Sequence, residues 1–328
     1  MSPAPVGPVG HPPGALPGHA SSAPAAVVVN YEARDALLAC IASLRASGVS
    51  QVVVVDNASS DGSLERLVAA DPGAVAIPAG RNLGYGTAAN LGVARTTSEH
   101  VLVCNPDVVA VGDCVAALSR VLDEHPECAV VGPRIDDPDG TRYPSARAFP
   151  SWGVAAGHAF LGPVAPGNRW TRRYKMEESE AEEASGEPGG GCRESGWVSG
   201  ACFMARRSAF ESLGGFDERY FMYAEDVDLC WRARRAGWSV LYEPAASVVH
   251  AQGLSTSRRP VAMTIAHHRS AWRFARRSTS GAGRALLPLV ALALTVRLAV
   301  TLGRALGRPG GELGPPEPRV RSGASDGA

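Results

Sequence analysis

The chain has 328 residues, 45% of them hydrophobic, which suffices for one large α/β domain or two small ones around a substantial core. Its 32 basic and 32 acidic side chains cancel, so no global field draws it to nucleic acid. Seven cysteines without a C-x-x-C pair, several inside apolar runs, argue against a zinc site and favour a reducing, cytosolic compartment.

Residues 1–24 are rich in Pro, Gly and Ala and lack a basic start or an unbroken apolar core, so they read as a disordered leader rather than a secretory signal. From residue 25 short apolar runs alternate with helical patterns. AAVVVN (25–30) predicts a strand, and Leu37, Leu38, Ile41 and Leu44 predict the helix after it. QVVVVD (51–56) is a second strand, SLERLVAA a helix, and AVAIP (74–78), HVLVC (100–104) and AVVG (129–132) continue the series. Continuous apolar strands between helices indicate a mostly parallel, doubly wound α/β sheet with helices on both faces.

In such sheets ligands bind beyond the carboxyl ends of the strands, and there the chain places its polar residues. The first strand ends in Asn30, Tyr31 and Glu32, and the second in Asp56 and Asn57, which can hydrogen-bond a nucleobase and ribose. Arg81, Asn82 and Gly84 follow the third strand, where a glycine loop, a helix N-terminus and an arginine suit a diphosphate. The fourth ends in Asn105-Pro106-Asp107, either a simple turn or, in this series of strand tips, a seat for Mg²⁺ or Mn²⁺. Farther on, Glu225 and Asp226 stand at a helix start behind Phe216, Tyr220, Phe221 and Tyr223. Alone the pair reads as a helix cap; beside aromatics and the strand tips it suits a sugar-handling base.

Together these segments resemble the family 2 inverting glycosyltransferases of the GT-A fold. The likeness runs from about Val27 to His250, through VVVNYEARDALLACIASL, VVVVDNASSDGS, RNLGYGTAANLGVA, NPD, the 196–238 block and EPAASVVH. It implies that Asn30, Tyr31, Glu32, Asp56, Asn57, Arg81, Asn82, Gly84 and Asn105 bind the nucleotide sugar. Asp107 and His250 would hold the metal, Mg²⁺ or Mn²⁺. The family's D-x-D element reads Asn105-Pro106-Asp107 here, which leaves Asp107 as the principal acidic ligand. Asp226 is implied as the base, with Trp197, Gly200, Ala201 and Glu225 on the acceptor; Trp197 would stack on a sugar ring or fill the core.

GPRIDDPDGTRYPSAR (132–147), the 214–232 block and AHHRS (266–270) further resemble the actinobacterial rhamnosyltransferases that act on N-acetylglucosaminyl-diphospho-decaprenol. That implies transfer of L-rhamnose from dTDP-L-rhamnose to a polyprenyl-diphosphate glycolipid, in the cell-wall linker that carries arabinogalactan. The alternative is the same fold moving galactofuranose, mannose or N-acetylglucosamine.

The transferase domain is placed at 25–257, with an acidic surface insertion at 176–192 and its site complete by His250. Residues 258–308 form a basic and apolar helical extension without Asp or Glu, and 309–328 a disordered tail. Only eleven apolar residues precede Arg297, against the ~20 a span needs, and a central Arg costs roughly 2.5–3.5 kcal/mol on insertion scales. The extension therefore reads as an interfacial helix whose arginines meet anionic lipid, at the cytoplasmic face of the plasma membrane.

Overall fold

The computed structural model describes residues 23–149, 191–251 and 260–306. The leader falls outside them except at 23 and 24, the acidic insertion except at 191 and 192; Arg258, Arg259 and the tail lie outside altogether.

Each central strand carries an unbroken apolar run because each of its faces meets a different core. Ala26 and Val28 of β1 (Ala25–Asn30), with Val52 and Val54 of β2 (Gln51–Asp56), point into one cluster; Val27, Val29, Val53 and Val55 point into the other. The first cluster is covered by α1 (Asp35–Ala46), α2 (Ser63–Ala70) and α4 (Cys114–Glu124), through Leu37, Leu67 and Leu118. The second is covered by α3 (Tyr85–Val93), α5 (Arg207–Ser212) and α6 (Glu225–Arg235), through Ala88, Phe210 and Leu229. Helices thus lie on both faces, as the uninterrupted apolar runs require.

The remaining strands are β3 (Val75–Pro78), β4 (His100–Cys104), β5 (Val108–Val111), β6 (Cys128–Asp136), β7 (Arg142–Tyr143), β8 (Ala146–Arg147), β9 (Arg193–Glu194), β10 (Trp197–Val198), β11 (Cys202–Arg206) and β12 (Ser239–His250). The sheet runs β3-β2-β1-β4-β11-β6-β12-β5, and β8 pairs with β10 in a separate ribbon. It is mixed and mostly parallel: β11 is antiparallel to β4 and β6, and β5 to β12. AVVG proves to be the start of a nine-residue strand.

These antiparallel pairings decide what meets at the rim. Because β11 begins where β4 ends, with Cys202 opposite Cys104, residues 199–201 arrive beside Asn105, whose N–H donates to the Ala201 carbonyl at 2.9 Å. Because β12 runs antiparallel to β5, His250 faces Val108 and ends next to Asp107.

Beyond the sheet, α7 (Pro260–Ser278) lies against α6, and a short 3₁₀ turn leads into α8 (Leu287–Leu306). Arg277 of α7 pairs with Asp217 and, at 3.3 Å, with fully buried Asp228 of α6, which also takes Arg232 at 2.7 Å. Residues 281–303, with mean hydropathy 2.2, are long and apolar enough to cross a membrane by length and composition, and none of that window is buried. The helix continues through Arg297, so the eleven-residue count understates its apolar length. Leu289, Leu292, Val296 and Val300 make one exposed stripe along it.

Candidate active site

The strand tips open onto a cleft of about 730 Å³. Tyr31, Asn57, Asn82, Asn105 and Asp107 line it from the parallel half of the sheet, and Trp197, Gly200, Ala201, Glu225, Asp226 and His250 from the other. Eleven of the residues expected from sequence are therefore gathered in one place.

Asn30, Glu32 and Asp56 are not in the lining; they build the loops that carry it. The Asn30 amide donates to Asp56 Oδ1 at 2.7 Å and to Ser63 Oγ at 2.8 Å, while the Ser59 N–H and Oγ–H both donate to Asp56. Glu32 Oε1 accepts from the N–H and hydroxyl of Ser60, at 2.7 and 2.8 Å. The Asp56 and Glu32 carboxylates are thereby satisfied in the loops that carry Tyr31 and Asn57, while Asn30 Oδ1 is buried without a partner among the described residues.

The diphosphate loop departs further from expectation. Arg81 is exposed and outside the lining. The first amide of α3 is already occupied, since Tyr85 N–H donates to the Phe221 carbonyl at 3.0 Å. Gly84, at φ +84°, is needed because a Cβ there would sit 2.2 Å from that same carbonyl. Its missing side chain admits the 216–224 loop.

Asp107 and His250 converge. His250 Nε2 lies 3.1 Å from Asp107 Oδ1 and 3.2 Å from the Asn105 amide nitrogen. Neighbouring ligands ~2.0–2.1 Å from an octahedral ion stand about 3 Å apart, so this spacing fits a divalent cation. Among the described residues no third Cys, His, Asp or Glu joins them. One carboxylate and few protein donors is the set such ions use when substrate phosphates complete their shell.

The acid pair is held by strained backbone. Tyr223 and Ala224 both have left-handed φ, 68° and 62°, at roughly 1–3 kcal/mol each. Ala224 is the N-cap of α6 and offers no side-chain cap, so neither acid caps the helix; they occupy its first two positions. Asp226 Oδ2 accepts from Gly200 N–H at 2.8 Å and Oδ1 from Val227 N–H at 2.8 Å. A Cβ on Gly200 would stand 3.2 Å from that of Asp226, so glycine lets the two approach. Desolvation raises the Asp226 pKa from its ordinary value, against the opposing pull of these amides and of Arg147. Glu225 is 6% exposed, its Oε2 has no hydrogen-bond partner among the described residues, and burial with the nearby Asp226 charge pushes its pKa up to about 8.

Trp197 is 6% exposed and belongs to the second core, with the Arg147 guanidinium 4.9 Å from its ring centroid. Trp197 thus fills the core, the second of the two expected roles, while it also lines the cleft. Sequence reasoning missed Arg147 and Tyr143, and it missed a whole wall: His267, Ala271, Phe274 and Ala275 of α7 line the cleft. The expectation that the site is complete by His250 is therefore corrected. His267 sits within AHHRS, which marked the segment without revealing its place.

This architecture has known counterparts. The family model for glycosyl transferase family 2 matches residues 25–214. The chain belongs to glycosyltransferase family 2. N-acetylglucosaminyl-diphospho-decaprenol L-rhamnosyltransferase of Mycobacterium tuberculosis is 42% identical over 247 residues, covering 72% of this chain and 78% of that one. Among solved structures, GalNAc-T7 with UDP, GalNAc and Mn²⁺ aligns with TM-score 0.53 and 16% identity over 70% of this chain and 43% of that one. The mannosyltransferase of Pyrobaculum calidifontis with GDP-Man and Mn²⁺ aligns at 0.52 and 16%, over 85% and 75%. The fold of this nucleotide-sugar glycosyltransferase is GT-A.

Proposed function

We propose that the transferase moves L-rhamnose from dTDP-L-rhamnose to a polyprenyl-diphosphate-linked N-acetylglucosamine, inverting the anomeric centre, as a step of cell-wall linker assembly. The 42% identical relative supports the sugar and the acceptor. The observation that carries the chemistry is Asp226: a half-buried, raised-pKa carboxylate in the cleft, with one amide on each oxygen and lone pairs to spare.

Asp226 orients the acceptor hydroxyl and takes its proton as the oxygen bonds to the anomeric carbon. The bond from that carbon to the donor diphosphate breaks, and the nucleoside diphosphate leaves from the opposite face. Tyr31 and Asn57 hold the nucleoside end, and Asn82 and Asn105 lie along its path. Asp107 and His250 would hold Mg²⁺ or Mn²⁺, which supplies charge neutralisation to the departing diphosphate. Glu225, protonated at neutral pH, donates rather than accepts toward the acceptor sugar.

The apolar stripe of α8 and the arginines of α7 support residence on an anionic membrane at its cytoplasmic face. Deleting everything after Gly283 leaves every lining residue in place. The truncated protein is expected to bind donor normally and to lose far more activity on a long-chain acceptor in vesicles than on a short soluble analogue; equal losses would refute the membrane role. The donor assignment is tested by binding a panel of nucleotide sugars, then assaying each with polyprenyl-diphosphate N-acetylglucosamine. Tighter binding and faster transfer with another sugar would replace rhamnose.

A further inference from the structure

Arg147 has a placement that the donor site and the base leave unused. It ends β8, the strand paired with β10, with Arg147 directly opposite Trp197. Its guanidinium carbon stands 4.9 Å from the Trp197 ring centroid and 5.4 Å from that of Tyr143. Nε–H donates to the Pro144 carbonyl at 2.9 Å, and one Nη2–H to the Tyr143 hydroxyl at 3.1 Å. Two aromatic faces and two hydrogen bonds fix the fork, and among the described residues three of its five N–H groups remain for something else. Among those residues no carboxylate lies within ion-pair distance of it. A half-buried, rigid guanidinium in a cleft, with no carboxylate beside it there, is built for an anion, and its planar fork matches a phosphate.

The ligand class is a diphosphate, and two are present in the proposed reaction. Inversion requires the attacking oxygen and the leaving diphosphate on opposite sides of the anomeric carbon. The base marks the acceptor's side. Arg147 is close enough for its charge to be felt by Asp226, and it sits on the ribbon whose outgoing loop, 199–201, delivers the Gly200 amide to that base. The donor diphosphate belongs at the other end, toward Asp107 and His250. We infer that Arg147 clamps the diphosphate of the lipid-linked acceptor, making the transferase discriminate a diphosphate-linked sugar from a simple glycoside. The inference rests on the acceptor proposed above.

The test compares geranyl-diphospho-N-acetylglucosamine with decyl N-acetylglucosaminide, using wild type, R147Q and R147K, with dTDP-rhamnose affinity measured in parallel. A charge-assisted hydrogen bond is worth about 1.5–3 kcal/mol, so R147Q is expected to raise KM for the diphosphate acceptor roughly ten- to hundredfold. The KM for the glycoside should move by less than about threefold on the same reasoning, collapsing the preference, with R147K between. Donor affinity kept within a few-fold certifies a folded variant; if R147Q does not fold, the R147K ratio decides. Loosened donor binding would assign Arg147 to the donor diphosphate and overturn the inference. So would an equal loss of kcat on both acceptors with a displaced pH–rate profile, which would make it a positioning residue for Asp226. Wild-type protein that ignores the diphosphate acceptor overturns the proposed function and this inference with it, and that failure is visible before any variant is made.

Discussion

The two halves of the cleft treat their buried carboxylates in opposite ways. On the donor side Asp56 accepts hydrogen bonds from Asn30 and Ser59, and Glu32 accepts two from Ser60. On the acceptor side Glu225 Oε2 is buried without a hydrogen-bond partner among the described residues; left-handed backbone is common to both sides, at Glu32, Arg34 and Ala58 as at Tyr223 and Ala224. Satisfied groups make a rigid frame; unsatisfied ones hold a cost that chemistry can use. The donor-side carboxylates are thus satisfied by folding, and Glu225 is held away from its own optimum.

The sharpest way to break this comparison is Asp226→Asn. The amide keeps the shape and loses the basic lone pair, so transfer should fall roughly 10²–10⁴-fold while donor affinity stays within a few-fold. Near-normal turnover would reduce Asp226 to a structural partner of Gly200. Next comes Asp107→Ala, expected to weaken donor binding in Mg²⁺ or Mn²⁺ by roughly ten- to hundredfold and to remove its dependence on the ion. Wild-type affinity that is the same with and without chelator would sink the metal assignment.

A third variant probes the frame. Asp56→Ala strips the acceptor from Asn30 and Ser59, and should cost about 1–3 kcal/mol of stability, read as a lower melting temperature, with a smaller effect on kcat. A variant as stable as wild type but unable to bind donor would return Asp56 to the role the sequence suggested. The smallest effect is electrostatic. Because the Glu225 pKa is raised from its ordinary 4.5 to about 8 in the folded state, the neutral form is favoured there, and its contribution to stability is lost as pH rises across that window. Thermal stability should therefore fall more steeply as pH rises from 4.5 to about 8 in wild type than in Glu225→Gln. Parallel curves would show that Glu225 is ionised or solvated.

The legibility of the sequence was set by range. Strands such as 51–56 announce themselves because burial on both faces demands unbroken Val runs, and Asn105, Asp107 and Asp226 stand at the ends of elements that periodicity locates. Gly84 was visible as a glycine but not by purpose, since the carbonyl it admits belongs to Phe221, far along the chain. The same holds for Arg147 and for α7: an amphipathic helix shows that it has a face, but nothing local says what that face covers. The basic composition after residue 258 pointed to lipid, and the half of the helix that closes the cleft went unseen.

The Arg277 bridge to Asp217 and Asp228 bears on how this protein can be re-engineered. A designer who treats the C-terminal segment as an interchangeable tether, and swaps it at residue 257, would cut away a side of the reaction chamber and leave Asp217 and Asp228 with only Arg219 and Arg232. The serviceable junction lies after Ser278, where α7 ends and beyond which no described residue lines the cleft.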